Sequence, residues 1–479
     1  MANNTRQVLT NKPLTFKIDI DDQDNRLDCA WFNPIVNDEI ESLRSKDRSD
    51  RKLVNLQPYC ANVHGGKRLP KGIVIEEDEF NKIPYIRSTD IKNLRVNLSD
   101  AVKISGEIHR LIQNYQLRKS DIALTIVGTI GEVGLLEDEV EVCDFTENIA
   151  RIRINEDSIL PRFLLYFLDS ELGKIQSERF SVGSLQYKLS LQSCRNINIY
   201  LPFSNGKYDI EKQKYIVDTV DTIIEKAENY KQKSKRLIEE SRNIVAKNIG
   251  LPIPSNDLKQ YSMFLTDLNS NEYSRLDALF NNPYRKELLN IFKSYPTKPL
   301  GELIKPQVGN KILPSDFYKL VELEQIDEET GRIINYQEVP ELGSEKILLK
   351  KGNLLISKLQ PEKGKVVIVP DSYDTSVGSS ELLPYSLTSN EVSIKYLWAV
   401  LRSNYILKQW EYELTGSSRM RIGPNEIKGT IIPIPERGIQ EQIVTEIEEK
   451  INESDKLLEN AGQLYTSAKR KFVELLLNN

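Results

Sequence analysis

The sequence predicts an α+β protein: two pseudo-repeated globular units, mixed but rich in strands, separated by a coil of two long helices. Three observations carry this. Landmarks recur in the same order in the two halves of the 479 residues, at offsets of 232 to 249 positions. Short apolar runs bounded by Gly, Pro, Asn and Asp, the mark of strands and turns, fill the repeat. Each copy closes on a long charged stretch whose apolar residues fall alternately three and four apart, the mark of a helical seam. Two copies make a duplicated domain pair and not a solenoid, which needs at least three stacked units.

The repeat opens with Arg26-Leu27-Asp28 and Asn33-Pro34, answered by Arg275-Leu276-Asp277 and Asn282-Pro283. Leu117 to Leu124 answers to Leu349 to Ile356, and Pro161 to Leu168 answers to Ile394 to Leu401. Gly183-Ser184 matches Gly416-Ser417, and the apolar run ending Leu201-Pro202 matches the one ending Ile434-Pro435. In the first copy, strands are expected at Ile83 to Ile86, Ile122 to Val127, Ala150 to Ile154 and Ile197 to Leu201. Pro161 to Leu172 is expected as a short amphipathic helix, with Pro near its first turn and Phe163, Leu164, Phe167 and Leu168 on one face. The glycines from Gly128 to Gly134 lie between two strand runs and open no helix. They therefore mark a tight hairpin, whose positive φ glycine supplies, and not a loop that cradles dinucleotide phosphates.

From Ile210 to Ile249 the seam reads Ile216, Val220, Ile223, Ala227, Tyr230, Ser234, Leu237, Ser241 and Ile244, and Gly250 and Pro252 stop the helix. From Gln440 to Leu477 it reads Val444, Ile447, Ile451, Ser454, Leu458, Ala461, Tyr465, Ala468, Phe472 and Leu475. About 40 residues at 1.5 Å each make helices on the order of 60 Å long. Such a helix with one apolar stripe is unstable alone in water. The other helix is the economical partner; docking of each helix on its own globular unit is the alternative. The expected organisation is a first globular unit at 1–209, a helix at 210–250, a linker at 251–272, a second globular unit at 273–437 and a second helix at 438–479.

A chain with 39% hydrophobic and 28% charged residues is expected to be soluble, with strongly charged surfaces. It has no apolar run of about 18 residues, so no membrane span is expected. The polar, acidic stretch Met1 to Asn25 carries no secretory pattern, and a cytoplasmic location is expected. Cys29, Cys60, Cys143, Cys194, His64 and His109 all lie in the first copy without metal-ligand spacing, so no bound metal is expected. The net charge of -5 weighs only weakly against contact with nucleic acid, because acidic helices and basic loops are segregated along the chain.

Catalytic constellations fail on inspection. The chain has no phosphate-binding Gly-x-x-x-x-Gly-Lys-Ser/Thr loop, and the second copy has no histidine with which to build a duplicated triad. Asn281-Asn282-Pro283-Tyr284 approaches the Asn-Pro-Pro-Tyr signature of amino-methyltransferases, but Asn stands where Pro belongs and no glycine-rich cofactor loop precedes it. A turn entering a helix is the expected reading, and the chain is expected to be no enzyme. What diverges between the copies is the polar loops. Gly128-Thr129-Ile130-Gly131 is replaced by a loop with Lys358, Gln360 and Lys363. Arg87-Ser88-Thr89-Asp90 becomes Glu322-Leu323-Glu324-Gln325, and Gln186-Tyr187-Lys188 becomes Arg419-Met420-Arg421. Side chains of these types bind phosphates and read base edges. The expected contacts are therefore Arg87, Ser88, Thr89, Gln186, Tyr187, Lys188, Lys358, Gln360, Lys363, Arg419 and Arg421.

Ile83-Pro84-Tyr85-Ile86-Arg87-Ser88-Thr89-Asp90-Ile91, Lys119 to Thr125 leading into Gly128-Thr129-Ile130-Gly131, and Gly183 to Ser190 ahead of Leu201-Pro202 carry a resemblance. Glu211 to Ile249 adds the long helix. The second copy adds Gly416 to Gly423, Ile432-Pro433-Ile434-Pro435 and Gln440 to Ile443. Over about its full length the chain resembles the specificity subunit of a type I restriction-modification system. The resemblance implies two target recognition domains, each reading one half of a bipartite site on double-stranded DNA, and two helices paired antiparallel that set the half-site spacing. It implies docking of two modification (methyltransferase) subunits, which bring S-adenosylmethionine, and up to two motor-nuclease subunits with ATP and Mg. This chain itself is expected to bind no cofactor. Ile216, Val220, Ile223, Tyr230, Leu237, Val444, Ile447, Ile451, Leu458 and Tyr465 are the expected coil and docking residues. The loop from Lys358 to Lys365 departs from the Gly-Thr-x-Gly form. The alternative is a two-headed coiled-coil scaffold that touches no DNA.

Overall fold

The computed structural model describes residues 50–70, 82–99, 101–138, 142–155, 157–181, 187–252, 275, 279–291, 295–307, 312–416 and 420–477. The opening landmark Arg26 to Pro34 and most of the linker at 251–272 lie outside them. The chain forms two compact units, Met1–Glu228 with Gly462–Asn479, and Asn229–Ala461, so both long helices contribute to both units.

The first unit begins with β1 (Arg51–Asn55), β2 (Cys60–Gly65), β3 (Ile83–Ile86), β4 (Ile91–Lys92), β5 (Leu94–Val96), β6 (Val102–Ile104) and α1 (Gly106–Ile112). It continues with β7 (Ile122–Thr125), β8 (Val133–Leu135), β9 (Asp144–Phe145), β10 (Ile149–Ile154), α2 (Pro161–Asp169), α3 (Glu171–Phe180) and α4 (Leu191–Arg195). β11 (Asn198–Ser204), β12 (Lys207–Tyr208) and the start of α5 (Ile210–Ser241) complete it. One sheet has the order β2-β10-β7-β8-β5-β4, a second β6-β3-β9 and a third β1-β11-β12. Both faces of β7 are buried. Ile122 and Leu124 join Phe163, Leu164 and Phe167 of α2, whereas Ala123 points the other way, among Ile86, Phe145 and Leu136. Burying an aliphatic side chain of this kind contributes about 1.5–3 kcal/mol.

The helix expected at Pro161 to Leu172 is two helices. The chain turns at Ser170 (φ -69, ψ 167), whose hydroxyl donates to the Phe167 carbonyl at 2.6 Å. The corner is so tight that a Cβ on Gly173 would lie 2.5 Å from that same carbonyl oxygen.

The second unit takes the end of α5 and then α6 (Ile244–Asn248), α7 (Pro283–Ile291), β13 (Thr297–Pro299), α8 (Leu300–Leu303), β14 (Ile304–Pro306) and β15 (Tyr318–Val321). β16 (Ile326–Asp327), β17 (Arg332–Ile333), β18 (Gln337–Val339), β19 (Lys346–Leu348), β20 (Leu354–Ser357), β21 (Val366–Ile368), β22 (Val377–Ser379) and β23 (Leu382–Leu387) follow. The unit closes with α9 (Ile394–Leu401), α10 (Asn404–Glu413), α11 (Pro424–Gly429), β24 (Ile431–Pro433) and most of α12 (Arg437–Leu477). Its frame repeats that of the first. β20 lies between antiparallel β23 and β21, as β7 lies between β10 and β8. β15 has an antiparallel neighbour, β18, and a parallel one, β22, as β3 has β6 and β9. Leu354 and Ile356 face one core and Leu355 the other, the alternation seen in β7. The copies differ at their margin: β5 joins the large sheet through β8, whereas β16 and β17 pair only with each other.

Both expected partners of the long helices are realised together. In the first unit Ile216, Val220, Ala468, Phe472 and Leu475 share a core with α2, and the Phe472 ring lies 5.3 Å from that of Phe163. In the second unit the Ser234 and Ser454 hydroxyls meet at 2.7 Å, and Glu240 meets Lys450 at 2.6 Å. Rising numbers on α5 meet falling numbers on α12, so the pair is antiparallel. α5 is shorter than expected: 32 residues, about 48 Å, ending in a turn at Arg242 and Asn243 before α6. α12 has the expected length, 41 residues. Tyr230 and Leu458, expected inside the seam, are instead 38% and 43% exposed. They lie about one turn from the buried Ser234–Ser454 contact, and Leu457, next to Leu458, is the leucine buried there, at 9% exposed.

Cys143 and Cys194 are buried and Cys60 partly so, all as free thiols; Cys29 lies outside the described residues. Among the described residues no group of three or more His, Cys, Asp or Glu could hold a metal ion, and no helix is long and apolar enough to cross a membrane.

Candidate nucleic-acid interface

In the first unit β7 runs into the turn Gly128–Gly131, whose two glycines have φ of 83° and 86°. The Thr125 hydroxyl holds the turn, donating to the Thr129 carbonyl and accepting from the Glu132 amide at 3.0 Å. A segment some sixty positions later is laid against it: Val127 pairs with Lys188, and the Leu189 amide donates to the Ile126 carbonyl at 2.9 Å. Tyr187, 48% exposed, and Lys188 are thereby presented beside the turn. Gln186 lies outside the described residues.

The second unit builds the same junction with other side chains. The Ser357 hydroxyl donates to the Leu359 carbonyl at 2.7 Å, the part Thr125 plays in the first unit. Leu359 pairs with Arg421, and the Ile422 amide donates to the Lys358 carbonyl at 2.9 Å. Gln360 adopts a left-handed conformation (φ 50°), a single 3-10 turn spans Pro361–Lys363, and Gly364 (φ 90°) closes the loop. Gln360 and Lys363 are exposed. Arg421 is engaged: its Nη2 and Nε donate to the Glu381 carboxylate at 2.9 and 3.3 Å, and this hydrogen bond raises the guanidinium pKa. Lys358 Nζ lies 3.8 Å from the same carboxylate, and Lys365 Nζ turns inward to the Leu323 carbonyl at 3.1 Å. Of the lysines in this loop, Lys363 is the exposed one. Arg419 lies outside the described residues.

Arg87, Ser88 and Thr89 occupy a separate 3-10 turn after β3, in a different sheet from β7. Asp90 accepts from the Arg87 amide at 2.8 Å and from its Nε and Nη2 at 3.2 and 3.1 Å, which fixes the guanidinium while leaving Arg87 and Thr89 exposed. The counterpart turn is neutral at the same place, with the Glu322 amide donating to Gln325 Oε1 at 2.8 Å. Of the expected coil and docking residues, Ile216, Val220, Leu237, Val444, Ile447 and Ile451 are buried core. Ile223 and Tyr465 are partly buried, and the Tyr465 hydroxyl donates to Glu228.

Several residues that hold this interface carry no mark in the sequence. Glu381 sits just past β22 and becomes the shared acceptor of Arg421 and Lys358 only because β20 and β23 are neighbours. In the first unit Asp121 is buried and receives Arg153 Nε and Nη2 at 2.6 and 2.5 Å, and the Arg118 amide at 2.7 Å, ordering the approach to β7. His109 Nδ1 and Asp144 Oδ2 lie 2.7 Å apart at the start of β9, where burial raises the Asp144 pKa against the lowering influence of His109. The one available signal was an alternating strand interrupted by a charge, as in Ile152-Arg153-Ile154, where a buried partner is needed.

Residues 60–240 match the family profile described as "Type I restriction modification DNA specificity domain". The chain is 25% identical over 262 residues to the Escherichia coli "Type I restriction enzyme EcoBI specificity subunit", covering 54% of this chain. It spans about half the length of that curated relative, 49%. Among solved structures, it is similar to the type I restriction-modification system S subunit from M. genitalium, with 13% identity, 90% and 97% of the two chains covered and a TM-score of 0.38. A chain from a structure titled for complex assembly and conformational transition of the type I R-M system gives 14% identity, 90% and 98% coverage and a TM-score of 0.44. The specificity-domain match thus lies over the first paired-loop unit and most of its long helix, and the likeness to the curated relative covers just over half of the chain.

Proposed function

We propose that this chain is the DNA-reading subunit of a type I restriction-modification complex, each unit reading one half of a bipartite site. The observation that carries the reading is the repeated junction, Val127 with Lys188 and Leu359 with Arg421, which sets different polar side chains on one frame. Base readout needs such divergence, whereas phosphate contacts alone position without discriminating. The antiparallel helices set the half-site spacing and dock two methyltransferase subunits, for which the exposed Tyr230 and Leu458 offer an apolar foothold. Half-site spacing then follows from protein geometry. The chain acts without catalysis of its own in the cytoplasm; S-adenosylmethionine, and ATP with Mg where motor-nuclease subunits join, belong to the partners. An acidic chain fits this division, because partner subunits can supply much of the phosphate grip.

The test is co-expression with the cognate methyltransferase subunit followed by methylome sequencing. The expected result is one split, asymmetric methylated motif. Lys363→Glu is expected to abolish or relax recognition of one half of that motif and leave the other half intact. A Lys363→Glu complex with unchanged methylation at both halves would support a scaffold that touches no DNA and would sink the proposal.

A further inference from the structure

The turn that interrupts the first long helix lies against the loop that carries Gln360 and Lys363. Arg242, the first residue after α5, donates through Nη2 to the Glu328 carbonyl at 3.1 Å and to the Lys363 carbonyl at 3.4 Å. Arg402, the first residue after α9, is only 5% exposed and aims into the same group of carbonyls. Its Nη1 donates to Thr330 at 2.6 Å, its Nη2 to Glu329 and Glu328 at 2.5 and 3.3 Å, and its Nε to Gly364 at 3.3 Å. Trp398, one turn back on α9, donates to the Gly331 carbonyl at 3.3 Å and lies 5.0 Å beneath the Arg402 guanidinium.

The site is shaped for this cation. Gly331 has φ of 64°, and a Cβ there would fall 2.4 Å from Arg402 Nη1. Burial, and next the charge of Arg242, lower the Arg402 pKa, while the charge of Asp327 raises it. The helix turn is itself tied down, the Asn404 amide donating to the Arg242 carbonyl at 3.0 Å and Asn404 Nδ2 to Asn243 Oδ1 at 2.8 Å. Among the described residues the first unit has no matching arginine pair. At the position matching Arg402 it has Asp169, which accepts from Lys469 Nζ at 2.9 Å.

We infer that Arg402 and Arg242 are positioning residues that clamp the Lys363–Gly364 end of the Gln360–Gly364 loop, together with the β16–β17 turn beside it, to the break in the first long helix. A guanidinium fork has several donors in one plane, enough to hold the Glu328, Glu329 and Thr330 carbonyls of the β16–β17 turn and the Gly364 carbonyl of the loop at once, which an ammonium cannot do. A shift of the helix at Arg242 is therefore passed to the Lys363 carbonyl, and so to the conformation in which Lys363 meets its target. The inference rests on the DNA-reading role proposed for this loop, but the clamp has a readout independent of that role.

The experiment uses the full chain assembled with its methyltransferase subunits and compares Arg402→Lys, Arg242→Gln and Lys363→Glu with the parent. Hydrogen exchange of the Lys363 and Gly364 amides, which donate within the loop at 3.2 and 3.0 Å, is expected to speed up by about tenfold in Arg402→Lys. Methylation of DNA mismatched in the half read by this unit is expected to rise by a similar factor relative to matched DNA, with discrimination in the other half unchanged. Should Arg402→Lys fail to fold, Arg242→Gln, whose side chain is less buried, is expected to show the same effects at smaller size. Unchanged exchange in the loop, or equal loss of discrimination in both halves, overturns the clamp. If exchange speeds up while Lys363→Glu leaves discrimination intact, the clamp stands as a structural device, and the DNA-reading role of the loop is what falls.

Discussion

The two units share a frame and differ in how its polar parts are fastened. In the first, Asp121 holds Arg153 and Asp90 holds Arg87, full charges meeting full charges. In the second, the matching places are neutral: Asn353 Nδ2 donates to the Ser386 hydroxyl at 3.0 Å, and Gln325 caps the Glu322 amide. Where the strand geometry is shared, the fastening is free to drift, provided each buried polar group still finds a partner.

The comparison extends to the helix pair and can be broken there most visibly. In the first unit α12 is joined to the core by a buried aromatic; in the second, α5 and α12 meet through a hydroxyl pair. Phe472→Ala removes a ring packed on Phe163 and Tyr166 and is expected to cost about 3–5 kcal/mol, whereas Ser234→Ala should cost about 1 kcal/mol. Unfolding followed by calorimetry checks both, and comparable losses would mean that the two ends of the pair are held alike. Next in size, Asp121→Ala strands Arg153 and the Arg118 amide and is expected to cost about 3 kcal/mol, the partial exposure of Arg153 keeping it at the low end. Asn353→Ala should cost about 1–2 kcal/mol. Equal costs in denaturant titrations would erase the distinction between charged and neutral fastening.

The smallest effect concerns the thiols, all of those described lying in the first unit. Burial pushes Cys143 and Cys194 up to about 12 from an ordinary 9.0, and Cys60, partly exposed, to about 11. A raised folded-state value means the native chain holds these protons more tightly than the unfolded one. The associated stability is present in full below pH 9 and is lost as pH climbs from about 9 to about 12. At pH 8, alkylation resolved by peptide mass mapping should mark Cys60 first, and Cys143 and Cys194 only as the first unit opens. Labelling of the buried pair as fast as in the unfolded chain would contradict their burial.

Much of the frame was legible because it is local. β3 was readable to the residue from Ile83 to Ile86, and the hairpin at Gly128 from two glycines between apolar runs. The seam of α12 followed from spacing except at Leu458, which is exposed. The errors fell where a distant partner overrules local pattern. Ser170 splits a helix because Gly173 allows a corner against Phe167, and Tyr230 and Leu458 are exposed although their spacing places them in the seam. For the interface, residue types were legible and their availability was not: Arg421 and Lys358 read as free cations, yet both lie at the Glu381 carboxylate.

By itself the sequence determined that the chain is duplicated, which stretches are strand and which are long helix, and where the polar loops diverge. These follow from periodicity and turn chemistry, which act over a few residues. Only the tertiary structure decided that Lys188 lies beside Val127 and Arg421 beside Leu359, that Ser234 meets Ser454, and that Arg402 grips the loop bearing Lys363. Those relations are non-local: strand order and helix register bring together groups tens of residues apart, and the need to satisfy each buried charge chooses among the partners found there.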